Sequence, residues 1–351
     1  MKLLTHNFKE KVVYGLSMAL SQWLNWDKNI KKIAFKNILV FKLDEIGDLC
    51  YSLHVFDLLK QRYPGVKVTL VCKPYGISLV NSHPSIDKIF TSVNELKEHY
   101  DLIIDLRGNF ETIKYALIHK PVVRLDRGTV RYRNKKGGAH PHEVITNTQI
   151  IAPLFNTVPV GFEPRLIASA DATERINNYL IENNLQRFIV LHSGARRILR
   201  RWPASNFVEL AVWVKQSFQL DCIFTGDAGD LELNLQIQQQ IPFKTYNTAG
   251  IFKLNEFVAL VKKAVLYVGN ESGPLCIATV AGTPSLGLFG PGEPFVFYPY
   301  GKNTSYLHHV LECNPCDQIH CVHPENPCIQ RISLNEVKLK ITEMLTDAVK
   351  K

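Results

Sequence analysis

No apolar run in the 351-residue sequence reaches the roughly 18 residues that a bilayer-spanning helix needs, so a transmembrane protein is not expected. Nor does the N-terminal stretch read as a secretory signal. The apolar stretch from Val12 to Leu24 is broken by Ser17, Ser21 and Gln22, and no small-residue cleavage site follows it. No Gly-x-Gly-x-x-Gly follows a predicted strand, which argues against a dinucleotide dehydrogenase. Low-complexity segments and short internal repeats are absent. So is any recognised nucleic-acid module or aromatic-interleaved basic strand, and nucleic acid is not an expected partner.

What is present fits a globular protein of two domains. The length exceeds that of one ordinary domain, and a hydrophobic content of 46% is ample for two cores. The formal net charge of +9 points to an acidic partner, such as a phosphate-bearing ligand or anionic lipid. Much of the excess falls between Lys120 and Lys136, where Arg124, Arg127, Arg131, Arg133 and Lys135 join those two against the single acid Asp126. Such a run is either a solvated face or a binding surface.

Of the eight cysteines, Cys50, Cys72, Cys222 and Cys276 sit singly in apolar stretches and read as small buried residues. Cys313, Cys316, Cys321 and Cys328 cluster beside His320 and His323. This group is open to several readings: a structural zinc site, a disulfide-linked or reduced structural loop, or a direct catalytic role. Without a secretory signal, a cytoplasmic and reducing compartment is expected.

Near the N-terminus, Val12, Val13, Leu16, Leu20, Trp23 and Leu24 recur at helical spacing, ringed by Lys9, Lys11, Lys28, Lys31 and Lys32. The helix either packs on the first domain or lies on an anionic membrane surface.

Short apolar β-rich runs alternate with helical patterns, which predicts parallel sheets covered by helices. Strands are expected at Ile38–Lys42, Lys67–Val71, Ile86–Phe90, Leu102–Asp105 and Val122–Leu125. In the second half they are expected at Phe188–His192, Cys222–Thr225, Leu266–Gly269 and Ser285–Phe289. Helices are expected at Leu49–Tyr63, Glu143–Leu154, Ala204–Phe218, Asp230–Gln239, Asn255–Lys263 and Pro274–Ala281, with Asn156–Pro164 as linker. The division reads as an N-terminal helical extension (1–35), a first Rossmann-like domain (36–160), a second (161–333) and a C-terminal helix (334–351) crossing back over the first. Two doubly wound sheets would turn their strand C-termini, and so their ligand sites, toward a shared cleft.

Four turns carry the chemistry. Lys42-Leu-Asp44-Glu45-Ile-Gly-Asp48 sets carboxylates at a helix start after a strand, where Asp either caps the helix or takes a proton. Their mutual repulsion is expected to raise one of the pKa values. Gly269-Asn270-Glu271-Ser272-Gly273-Pro274 offers free N–H groups and a helix N-terminus to an anion, with Glu271 available to sugar or ribose hydroxyls. His192-Ser-Gly-Ala-Arg-Arg-Ile-Leu-Arg200-Arg201-Trp202-Pro203 gathers guanidinium groups suited to a diphosphate. The turn from Thr225 to Glu232 presents Asp230 to ribose hydroxyls.

In this order and spacing the turns resemble glycosyltransferase family 9, the ADP-heptose–lipopolysaccharide heptosyltransferases, from about Asn37 to Ile341. Gly282-Thr-Pro284, Phe289-Gly-Pro291 and the late Cys-Asn-Pro-Cys pattern belong to the resemblance. It implies a GT-B fold and an inverting, metal-independent transfer of heptose from ADP-L-glycero-D-manno-heptose to the lipopolysaccharide inner core. No cofactor is expected. By position, the catalytic base falls on Asp48 and the donor-binding residues on Arg200, Asp230, Glu271, Ser272 and Gly273. The basic run, with Arg124, Arg131 and Arg133, would face an anionic glycolipid acceptor, and the enzyme would sit peripherally on the cytoplasmic face of the inner membrane.

No Asp-x-Asp triplet, the metal–nucleotide holder of the other major glycosyltransferase fold, occurs. Glu271 stands where the family usually has Asp, and Cys276 where it has His. These departures leave room for another nucleotide sugar, used in surface polysaccharide or protein glycosylation, or for an inactive nucleotide- or lipopolysaccharide-binding homologue.

Overall fold

The computed structural model describes residues 2–349, with side chains from 11 to 346. The chain divides into two units, Met1–Arg165 and Leu166–Lys351. The first runs α1 (Lys2–Leu24), β1 (Asn37–Lys42), α2 (Ile46–Cys50), α3 (His54–Arg62), β2 (Lys67–Cys72), α4 (Pro74–Val80) and β3 (Lys88–Phe90). It continues through β4 (Leu102–Arg107), α5 (Phe110–His119), β5 (Val123–Asp126), α6 (Arg127–Lys136) and α7 (Glu143–Ile151).

These strands form one parallel sheet in the order β3-β2-β1-β4-β5. Ile38, Leu39, Val40 and Phe41 are all fully buried, as expected for a central parallel strand covered on both faces. The helix expected over Leu49–Tyr63 is broken into α2 and α3.

At the edge of this sheet, β5 is sealed by α1 and the turn after it. The Asn25 side chain acts as a substitute strand. Its Nδ2 donates to the Arg124 carbonyl at 2.6 Å, and its Oδ1 accepts the Arg124 N–H at 3.0 Å. Leu20 and Leu24 enter the core with Leu39, Phe41, Ile103 and Ile113. Close packing of α1 on α6 depends on Gly128, where an added Cβ would lie 2.7 Å from the Tyr14 carbonyl.

The inward face of α1 is also polar. Ser17 and Ser21 are buried and meet Arg124, which is itself fully buried. The Arg124 guanidinium donates to the Ser17 carbonyl (2.9 Å), Ser21 Oγ (2.7 Å), Ser17 Oγ (2.8 Å) and Asp105 Oδ2 (2.6 Å). Arg124 was expected at the acceptor, but its charge is committed inside the first unit. The apolar face expected on α1 is divided as well. Leu20 and Leu24 turn in, while Val12, Leu16 and Trp23 turn to solvent.

The second unit contains α8 (Ala170–Glu182), β6 (Phe188–His192), α9 (Ala204–Phe218), β7 (Asp221–Phe224), α10 (Leu231–Gln238), β8 (Tyr246–Asn247) and α11 (Leu254–Lys263). It goes on with β9 (Leu266–Asn270), α12 (Gly273–Val280), β10 (Ser285–Phe289), α13 (Pro294–Phe297), β11 (Thr304–His308) and α14 (Leu334–Val349). Its parallel sheet has the order β11-β10-β9-β6-β7-β8. Counted from β6, this is the doubly wound 3-2-1-4-5-6 order, and the first unit follows its first five strands. Helix α14, expected to cross back over the first domain, packs Val337 and Ile341 into the second unit's own core.

Breaking one buried charge pair tests this account of the sheet edge. Asp105→Ala strands Arg124 without its carboxylate and should cost about 3–5 kcal/mol in the first unit's unfolding, measured by urea denaturation. Trp23→Ser, on the exposed face, should change it by less than about 0.5 kcal/mol.

Candidate active site

In doubly wound sheets, ligands gather beyond the strand C-termini where the strand order reverses. That point lies between β1 and β4 in the first unit and between β6 and β9 in the second. The glycine-bearing turns fall there.

In the first unit, β1 ends on Lys42, whose side chain is fully buried. Its ammonium lies 3.1 Å from Asp44 Oδ2 and 3.2 Å from Glu143 Oε1. Glu143, the first residue of α7, is clasped by Arg127, with Nη1 on Oε1 and Nη2 on Oε2 at 2.6 Å. Asp48 sits in α2 beside this network, and oxygens of Asp44, Asp48 and Glu143 come within 4.8 Å of one another. A carboxylate triple of this kind is a candidate cation site. Here two cationic side chains already meet its negative charge.

The environments of these acids are pushed apart. Burial raises Glu143, but Arg127 and Lys42 outweigh it and hold the carboxyl at about 2. Burial and then the charge of Asp44 push Asp48 up to about 7. Lys42 stays protonated, because Asp44 and Glu143 outweigh the cost of its burial. The cluster therefore holds one permanently ionised carboxylate beside one that exchanges its proton near neutrality.

In the second unit, Asn270 fastens the site. Fully buried at the end of β9, it donates to the carbonyls of Ser193 (2.8 Å) and Gly194 (3.2 Å) after β6, and accepts from the Trp202 N–H at 3.0 Å. The next residue, Glu271, is buried and receives Arg200, with Nη1 at 3.2 Å from Oε1. Gln318 Oε1 accepts from Arg200 Nε at 2.6 Å. Glu271 Oε2 is buried without a hydrogen-bond partner. Burial raises the Glu271 carboxyl against the pull of Arg200, and Glu293 adds to the rise. Gly292 makes room for it, since a Cβ there would fall 1.8 Å from Oε2.

Ser272 precedes α12, and its hydroxyl donates to the Asn270 carbonyl at 3.0 Å rather than capping the helix. Pro274 carries no N–H, so the first-turn donors without a side-chain cap are those of Gly273 and Leu275. Asp230 is buried near β6 and β7, with one oxygen 3.9 Å from Arg201.

Arg200, Glu271, Ser272 and Gly273 are thus neighbours. Arg131 and Arg133 lie exposed on α6, and Arg131 Nη1 donates to the Tyr14 hydroxyl at 2.8 Å. All eight cysteines are free thiols. Cys313, Cys316, Cys321, Cys328 and His320 line one small cavity, but among the described residues only Asp44, Asp48 and Glu143 bring ligand atoms within 4.8 Å of one another.

A family model for glycosyltransferase family 9 (heptosyltransferase) matches residues 89–326, more than half of the chain. The chain belongs to that family. This family 9 glycosyltransferase is 23% identical over 295 residues to the Haemophilus influenzae lipopolysaccharide core heptosyltransferase OpsX, covering 76% of this chain and 82% of that protein. Its fold resembles the glycosyl transferase family 9 structure from Veillonella parvula, with a TM-score of 0.77 at 18% identity, over 91% of this chain and all of the other. It also resembles E. coli ADP-heptose lipopolysaccharide heptosyltransferase II, with a TM-score of 0.70 at 19% identity, over 89% of this chain and 99% of that one. The fold is GT-B, two Rossmann-like units.

The acid pair supplies a direct test. Removing the Asp44 charge by Asp44→Asn should move the Asp48 midpoint down from about 7 toward its ordinary 3.8, read by carboxyl NMR titration. The sign of the linked stability follows. Asp48 favours the folded state at low pH, and that contribution fades as pH rises through about 7. Glu143 acts oppositely, stabilising above its ordinary 4.5 and failing as pH falls toward about 2.

Proposed function

We propose that this enzyme transfers heptose, with inversion and without a metal ion, from ADP-L-glycero-D-manno-heptose to an inner-core sugar of lipopolysaccharide. The observation that carries the reading is Asp48, a carboxylate in α2 just beyond the end of β1, set beside Asp44 and Glu143, with a proton affinity near neutrality. A base so poised is ionised in a large share of molecules at neutral pH, yet basic enough to take a hydroxyl proton.

In this mechanism Asp48 removes the proton from the acceptor hydroxyl as that oxygen attacks the anomeric carbon. The bond from that carbon to the diphosphate breaks on the opposite face, and ADP departs with the bonding pair. Arg200 and the open N–H groups at the start of α12 receive the growing phosphate charge. Glu271 accepts donor hydroxyls through Oε2, the atom lacking a protein partner. Asp230 accepts from the ribose. Arg131 and Arg133 attract the anionic glycolipid acceptor, which implies work at the cytoplasmic face of the inner membrane.

A second reading is a different nucleotide sugar as donor. Cys276, buried in α12 where the family usually has His, favours it, because that helix begins beside Glu271.

Asp48→Asn should retain ADP affinity and lose transfer activity by about a hundredfold or more, measured by ADP release with acceptor present. Arg200→Ala should weaken ADP binding about tenfold or more by calorimetry and slow transfer further, while exposed Arg197→Ala changes neither. Wild-type turnover in the Asp48 variant would remove it as the base. Activity should survive exhaustive EDTA treatment; loss restored by magnesium or manganese would overturn the metal-free mechanism.

A further inference from the structure

Helix α1 is built the wrong way round for a helix that meets only water and its own core. Its inward face spends buried positions on Ser17 and Ser21, which bind Arg124. Its outward face carries Val12, Leu16, Ala19 and Trp23, and the stripe continues to Trp26 in the turn beyond. These residues recur every three or four positions, one exposed line along the helix. Leu16 is 49% exposed, Trp23 59% and Trp26 78%.

Neighbouring elements also expose apolar side chains. Lys28 donates to the carbonyl of Val122, which is exposed, and Ile118 at the end of α5 is exposed too. A line of exposed apolar side chains of this kind is a candidate for cover by a partner.

The charges around it say which kind. Lys31, Lys32, Lys114, Lys120, Lys135 and Lys136 are all exposed on α5, α6 and the segment after α1. Among the described residues of 11–36 and 110–136, the exposed acids are only Asp27 and Glu111. A second copy of the chain would bring the same bases against one another. An anionic lipid surface neutralises them while the apolar line enters the headgroup boundary, where Trp side chains are favoured. No described helix is long and apolar enough to cross a membrane, so the contact lies along the surface.

We propose that the outward stripe of α1, with its flanking lysines, is a docking surface for anionic phospholipid membranes. It deepens the proposed function by naming the element that brings the enzyme to a membrane-held acceptor, but it stands on geometry and charge that need no transfer activity.

The test uses the full chain, without donor or acceptor, and vesicles of phosphatidylcholine alone or mixed with phosphatidylglycerol. The wild type should cosediment with the mixed vesicles, release at high salt, and show a blue shift of tryptophan emission on binding. The Trp23→Ser/Trp26→Ser variant should partition about tenfold or more weakly and lose the shift. Lys31→Gln/Lys32→Gln should weaken binding about fivefold for each charge removed. Trp26→Ser alone, outside the helix, is the milder variant if the double one fails to fold, with thermal unfolding as the check.

Three results would overturn the proposal: no binding of the wild type to mixed vesicles, equal binding by the tryptophan variants, or equal binding to vesicles without phosphatidylglycerol. A concentration-dependent dimer that Leu16→Ser dissolves, without vesicle binding, would assign the stripe to a second copy instead. Vesicle binding by a protein that transfers no sugar would sink the transferase reading and leave this one standing.

Discussion

Glu143 is buried, charged and shared between two cations, and the arrangement of the first unit's site depends on it. A carboxylate removed from water is tolerated only with strong partners, and here Arg127 grips both oxygens while Lys42 approaches one. These contacts tie the end of β1, the start of α6 and the start of α7 together. Lys42 is then fixed between Glu143 and Asp44, beside an Asp48 that is raised chiefly by burial and next by the charge of Asp44. Remove Glu143 and buried Arg127 loses the carboxylate it grips, while Lys42 is left with Asp44 alone.

The second unit solves a related problem with different parts. Its buried acid, Glu271, has one guanidinium on one oxygen and nothing on the other. Glu143 is a closed structural junction, whereas Glu271 is half-satisfied. That contrast separates a residue that holds a site together from one that faces a ligand. Asn270 does the holding in this unit, joining β6, β9 and the Arg-Trp-Pro segment through one side chain.

Much of this was legible in advance because parallel strands buried on both faces are short apolar runs bounded by glycine and polar turns. Ser285–Phe289 and Phe188–His192 have the expected bounds. β11 was missed because Thr304-Ser-Tyr-Leu-His is only half-buried at the sheet edge, and β8 because two residues carry no pattern. Asp48 and Arg200 stand out locally, beside glycine turns. Glu143 does not: it meets Lys42 across 101 residues, and nothing near it in sequence marks the pairing. Arg124 misled for the opposite reason. It lies in a basic run, but its partners Ser17, Ser21 and Asp105 are distant in sequence, so charge count alone could not reveal its burial.

The pairing of Asn25 with Arg124 has a consequence for the chain as a folding and aggregating polymer. β5 is an edge strand, and its open peptide groups are a template on which a strand from another molecule can add. One amide side chain fills the place of that strand, and α1 excludes approach from the same side. A chain starting at β1 would uncover this edge, together with Arg124 and the core side chains under Leu20 and Leu24. Its failure would then be intermolecular sheet growth during folding, set by protein concentration rather than by any change in the chemistry of the site.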